Sequence, residues 1–184
     1  GPAPVESIIR KMIDYYEYDV ELRIAEGVTR LGTGVEVNVL APGDTFVVDG
    51  MNIHVDKGTR HGNVDDILSY RFDAEGRSVV IASDGSPTDK LAPLAKGANL
   101  LLAHFCVPHI YEKYGTTRPF TPFVIAHHAS AEEVADAAKE AGVERLAFSH
   151  IVPPMTSNQE ALEELSKFYQ GEILAGEDLM RIKV

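Results

Sequence analysis

The chain has 184 residues, 45% of them hydrophobic and 24% charged, values of an ordinary globular protein that exclude a disordered tail, a collagen-like repeat and a low-complexity linker. Its 28 acidic side chains against 17 basic ones leave a net charge of −11, which disfavours nucleic acid as a partner unless a local basic patch meets it. No apolar run approaches the roughly 18 residues that cross a bilayer, the start lacks a signal-peptide pattern, and the single cysteine, Cys106, can form no internal disulfide. The expectation is a cytoplasmic protein with no membrane partner, folded as a single domain over residues 1–184.

From Val5 to Ile24 the apolar residues Ile8, Ile9, Met12, Ile13, Tyr16 and Val20 recur at three- and four-residue spacing, which predicts a helix with one buried stripe. Gly27 ends it. Val35, Val37 and Val39 then alternate with polar neighbours, Pro42-Gly43-Asp44 breaks the run, and Phe46 to Val55 reads as an extended segment around a turn at Asp49-Gly50. Two or three strands are expected there. A hairpin follows, with strands at Leu68–Asp73 and Ser78–Ser83 joined by Ala74-Glu75-Gly76. Its second arm, Val79-Val80-Ile81-Ala82, is apolar on both faces and belongs in a covered sheet.

A short helix is expected over 89–96, capped by Thr88 and stopped by Gly97, followed by a buried strand at Leu100–Ala103. Ser130 and Glu133 have capping-box spacing before Val134, Ala137, Ala138 and Ala141; Gly142 is the stop, and Arg145–Ser149 the next strand. A last helix runs from about Ser157 to Tyr169 ahead of an alternating tail, and 108–122 is the one long irregular stretch. The order strand, helix, strand, written twice, places the carboxyl ends of buried strands along one rim, where ligands bind in such sheets.

On that rim Asp84 follows the strand at 79–83, His104 the strand at 100–103, and His150 the strand at 145–149. His61 sits in a polar turn, and His128 lies immediately ahead of a helix start. Neutral imidazole and carboxylate are both good donors to a zinc-like cation. Each of these groups alone also suits a structural role: a strand-end histidine is more often hydrogen-bonded than ligating, and Asp84-Gly85-Ser86-Pro87 is good turn chemistry. His54 and His109 read as surface groups, and Cys106 as a small buried side chain.

The ordered set of motifs resembles the carboxyl-terminal part of the metallo-β-lactamase superfamily in its RNase Z and arylsulfatase-like branch. "RHGNVDDILSYRF" is similar to the third metal motif and "GRSVVIASDGSP" to the strand ending in the bridging aspartate. "NLLLAHF" is similar to the strand ending in His-Glu, and "HHASAEEVADAAKEAGVERLAFSHIVPP" to the helix and strand that end in the last metal histidine. The resemblance implies an α/β fold, half of an αββα sandwich with a mixed sheet flanked by helices. It implies a di-zinc hydrolase in which His61 ligates one metal, His150 the other, Asp84 bridges them, and catalytic His128 helps the leaving group. An ester, phosphodiester or lactam-type bond would be the target of activated water.

The sequence departs from the pattern in three places. The His-x-His-x-Asp-His signature is absent, so the chain is expected to be inactive without an amino-terminal half; Phe105 stands where the glutamate is usual; and Ser83-Asp84-Gly85 replaces Gly-Asp-Thr. Only 22 residues separate His61 from Asp84, too few for the long tRNA-gripping arm, which with the charge argues against tRNA and for a small-molecule or ester-type substrate. One sheet face would be left bare, so a homo-oligomer or a partner chain is expected to cover it. The competing readings are a non-catalytic assembly module with relic ligands, and an unrelated α/β protein whose histidines are structural.

Overall fold

The computed structural model describes residues 1–65 and 67–184; Asp66, inside one of the stretches that carry the resemblance, lies outside the described residues. Residues 1–41 and 42–184 form two compact units.

In the first unit α1 (Pro4–Ala25) starts at a proline, whose fixed φ and missing N–H suit the first turn. The helix is where the periodicity places it, but its stripe is not buried: Ile8, Met12, Ile13 and Tyr16 are all exposed. A unit of this size with one helix has too little chain to build a core around it. Residues 35–39 form no strand, since alternation alone does not supply a ladder partner. The segment is tied instead to the chain start, with the Gly1 ammonium donating to Asn38 O at 2.9 Å and Leu40 N–H to Gly1 O at 2.7 Å.

The second unit is built on a seven-stranded mixed sheet. Strands β1 (Thr45–Val48), β2 (Met51–Asp56), β4 (Ser69–Ala74) and β5 (Arg77–Ile81) pair antiparallel. Then β7 (Leu100–Ala103), β8 (Arg145–Phe148) and β9 (Glu172–Ala175) add parallel to one another and to β5, in the order β1-β2-β4-β5-β7-β8-β9. A separate two-stranded ribbon pairs β3 (Thr59–Arg60) with β6 (Ser86–Pro87). Two-residue turns close both hairpins: Asp49-Gly50 and Glu75-Gly76 have φ of 49°, 80°, 51° and 74°, the left-handed pair that matches strand twist.

Helices α2 (Leu91–Ala95), α5 (Ala131–Ala141) and α6 (Asn158–Leu165) supply Leu91, Val134, Ala138 and Leu165 to the core, against Val80, Leu101 and Leu146 of the sheet. Both longer helices open on capping boxes, Ser130 with Glu133 and Ser157 with Glu160, and α5 closes on left-handed Gly142. The helix α2 is shorter than expected; Thr88 serves it by accepting the Lys90 N–H. The stretch 108–122, read as irregular, contains α3 (His109–Lys113) and the start of α4 (Thr121–His127); a single turn is too short for periodicity to register.

The apolar arm of the hairpin is covered on one side only. Val80 is 0% exposed and Ile81 40%, and the row Tyr70–Ile81–Leu102 runs across β4, β5 and β7 on the less covered side. Leu101→Ala, which empties the covered side, should therefore lower unfolding free energy by about 2–5 kcal/mol, and Ile81→Ala by well under half of that. Urea denaturation at equilibrium measures both.

Candidate metal centre

Asp84 is the hub. It leaves the end of β5 through Ser83, whose N–H donates to Ser69 Oγ and whose hydroxyl donates to Leu68 O, so the residue just before Asp84 is already anchored. Gly85 follows with φ +127°, and a Cβ there would lie 2.1 Å from Arg60 O. Only glycine allows this approach. The β3–β6 ribbon on either side holds the Asp84 loop against the turn that carries His61.

The other histidines arrive on loops stitched together beyond the strand ends. Cys106 bridges both Ser130 and Val152 in parallel fashion, and backbone bonds run from Cys106 N–H to Ala129 O at 2.8 Å and from Val152 N–H to Phe105 O at 3.2 Å. The segment after β7 is thus gripped between the His128 and His150 loops. Cys106 is a packing residue here, its thiol pushed up to about 11 by burial. His150 has a left-handed backbone, φ 53°, a conformation that histidine adopts more readily than most side chains.

Around the Asp84 carboxylate, Oδ2 lies 3.6 Å from His61 Nε2 and 3.4 Å from His150 Nε2, and Oδ1 lies 2.8 Å from His104 Nε2 and 3.6 Å from His128 Nε2. His61, Asp84 and His128 can offer donor atoms all within 4.8 Å of one another. The orientation of His128 follows from helix chemistry. At the carboxyl end of α4 the last carbonyls lack intrahelical partners, and the ring Nδ1 lies 2.6 Å from Val124 O. A carbonyl only accepts, so Nδ1 carries a hydrogen and Nε2 is the ring nitrogen turned toward Asp84.

His104 is the residue that sequence reasoning noticed at a strand end and left out of the site. It is buried, and Gly85 N–H donates to its Nε2 at 3.0 Å. Burial pushes this imidazole down to about 4, against the pull of Asp84, so it is neutral and its Nε2 is an acceptor. The approach to Asp84 Oδ1 then brings two lone pairs together, and that buried oxygen has no hydrogen-bond partner. A buried carboxylate oxygen with no hydrogen-bond partner, facing two imidazole nitrogens, is an arrangement that a bound cation resolves. The donor set, nitrogen and carboxylate oxygen, fits zinc.

All four residues singled out from sequence are gathered here. His54 and His109 are not; they pair with Asp73 at 3.5 Å and Glu164 at 3.8 Å. His127 joins the edge of the site through ring contact with His61, centroids 5.3 Å apart; its proximity to His128 was the only sequence signal. Phe105, at the position where an acid was expected, is buried against Phe148 with centroids 5.4 Å apart.

No protein-family model matches the sequence. The chain is 30% identical over 189 aligned residues to ribonuclease Z of Mycobacterium tuberculosis (strain ATCC 25618 / H37Rv), covering 100% of itself and 67% of that protein. Among solved structures it resembles the metallo-β-lactamase fold protein YhfI from Bacillus subtilis, TM-score 0.62 at 21% identity, over 83% of this chain and 56% of that one. It also resembles Zn(2+)-bound PqqB from Methylobacterium extorquens, TM-score 0.58 at 16% identity, over 80% of this chain and 55% of that one. The chain thus spans little more than half the length of these two structures.

The ribonuclease relative corrects one expectation. Nucleic acid was disfavoured as a partner on the strength of a net charge of −11, but a sum over the whole chain says nothing of where the charges lie. Between Asp89 and Glu132 the only acidic residue is Glu112, and this interval contains His104 and His128. Two of the site's histidines, His104 and His128, come from the least acidic part of the sequence.

The geometry makes His104 a brace for the Asp84 loop. His104→Phe leaves the buried Gly85 N–H without an acceptor and should cost about 1–3 kcal/mol of stability in chelator-containing buffer. His104→Gln, which keeps an acceptor, should recover at least half of it by urea denaturation.

Proposed function

The chain belongs to the ribonuclease Z family of the metallo-β-lactamase superfamily, a family of hydrolases, and from that premise we propose that it supplies the Asp84-centred part of a di-zinc site that hydrolyses a phosphodiester bond of RNA. The observation that carries this reading is the convergence of His61 and His150 on the Asp84 carboxylate, their Nε2 atoms 3.6 and 3.4 Å from Oδ2, with His128 Nε2 3.6 Å from Oδ1.

In this reading His61, Asp84 and His150 hold the metal. Zinc, when bound, would withdraw charge from a phosphoryl oxygen and lower the pKa of water. His128 acts on the proton: with Nδ1–H fixed on Val124 O, Nε2 is the atom free to carry a proton to the departing oxygen, a task worth about 10²–10⁴ in rate. Phe105 offers His128 no carboxylate partner. His104 and Gly85 hold the carboxylate in place.

The same reading makes residues 1–184 the carboxyl-terminal portion of the active fold, with the remaining ligands coming from residues outside this sequence. Its setting is the cytoplasm, where a lone reduced Cys106 is at home. No helix is long and apolar enough to cross a membrane among the described residues.

Calorimetric titration with zinc tests the assignment. Asp84→Asn should weaken zinc binding by about 100-fold or more, whereas His128→Ala should leave it within about threefold while lowering RNA hydrolysis in the completed site by at least about 100-fold. Equal zinc affinity in wild type and Asp84→Asn contradicts the metal role, and loss of zinc on His128→Ala reassigns His128 as a ligand.

A further inference from the structure

We infer that the segment from Lys113 to His128 is a stacking platform for single-stranded RNA leading into the metal centre, a reading that rests on the hydrolase assignment above and names how its substrate is held. Three exposed rings fall in this short interval: Tyr114 at 49%, Phe120 at 63% and Phe123 at 64% exposure. Large aromatic side chains left in water on one segment call for a partner with flat faces.

The rings are continuous with the site. Phe123 and His127 are four residues apart on α4, on one helix face, and their rings lie 3.7 Å apart at 36°. His127 Nδ1–H is held on Phe123 O, and its ring packs over the His61 turn so closely that a Cβ on Gly62 would come within 2.0 Å of it. His61 in turn faces Asp84. A base stacked on Phe123 would be two ring contacts from the carboxylate.

Charge favours a polyanion over an apolar surface as the occupant. From Lys113 to Ala131 there is no acidic residue, in a chain with 28 of them, while Arg118, two positions from Phe120, is exposed and donates one of its guanidinium N–H groups to Thr117 O. Lys113 lies 5.2 Å from the Tyr114 ring centroid, though it is also paired with Glu160. Glu160 also accepts from the Tyr114 hydroxyl at 3.4 Å, so the Phe120–Phe123 end, beside Arg118, is the part that suits a single strand, whose unpaired bases stack without regard to sequence. A duplex, its bases hidden, would gain little from them.

The test is fluorescence anisotropy with a fluorescein-labelled, mixed-sequence RNA octamer in EDTA buffer, so that binding is read apart from metal loading and catalysis. Phe120→Ala and Phe123→Ala should each weaken binding about tenfold. Phe123→Leu, which keeps apolar bulk without an aromatic face, should weaken it as much. An octamer with abasic sugars should bind wild type about tenfold less tightly and be no further weakened by Phe123→Ala. The platform is overturned if wild type does not bind the octamer, if the ring variants or abasic sugars change nothing, or if wild type dimerises through these rings on size exclusion and the variants are monomeric. Ring-dependent octamer binding by a chain that takes up no zinc would leave the platform standing and remove the metal reading.

Discussion

A carboxylate surrounded by imidazoles is the constraint around which this unit is arranged. Asp84 Oδ1 is buried without a proton donor, and neutral His104 faces it with a lone pair already engaged by Gly85 N–H. Folding does not by itself place acceptors against one another at such cost. Several local devices hold the arrangement: the Ser83 hydroxyl on Leu68 O, the close approach of Gly85 to Arg60, and the backbone stitching of Cys106 to both neighbouring loops. Strand ends bring the groups to one rim, and these devices aim them at one point.

Much of this arrangement can be read from the chain, where local chemistry decides. Capping boxes at Ser130 and Ser157, the stop at Gly142, and the turns at Asp49-Gly50 and Glu75-Gly76 are short-range signals that tertiary contacts have no reason to override. Asp84, His104 and His150 stand at strand ends by the same logic. The failures lie where the outcome depends on what is opposite. The alternation at Val35, Val37 and Val39 meets no ladder partner, and the stripe of α1 is not covered. Ile81 is indistinguishable from Val80 by residue type, yet one is exposed and the other is not. The role of His104 was hidden for a related reason: a strand-end histidine can point anywhere, and only coordinates reveal the Gly85 N–H on its ring.

Charge teaches the same distinction between a sum and a distribution. The acidic excess lies largely outside the interval between Asp89 and Glu132, leaving around His104 and His128 a local field that the total conceals. An acidic protein can meet a polyanion where its carboxylates are few. On the proposed reading a bound cation would neutralise Asp84 and let the centre tolerate a phosphate, while the rings would hold the strand whether or not the cation is there.

The most direct measurement is anomalous diffraction at the zinc edge from crystals of this chain soaked in zinc. The account predicts a peak within coordinating distance of an Asp84 oxygen and of His61 or His150 Nε2. A zinc-loaded crystal with no peak at Asp84, and with His104 still accepting the Gly85 N–H beside an uncompensated carboxylate, would contradict it.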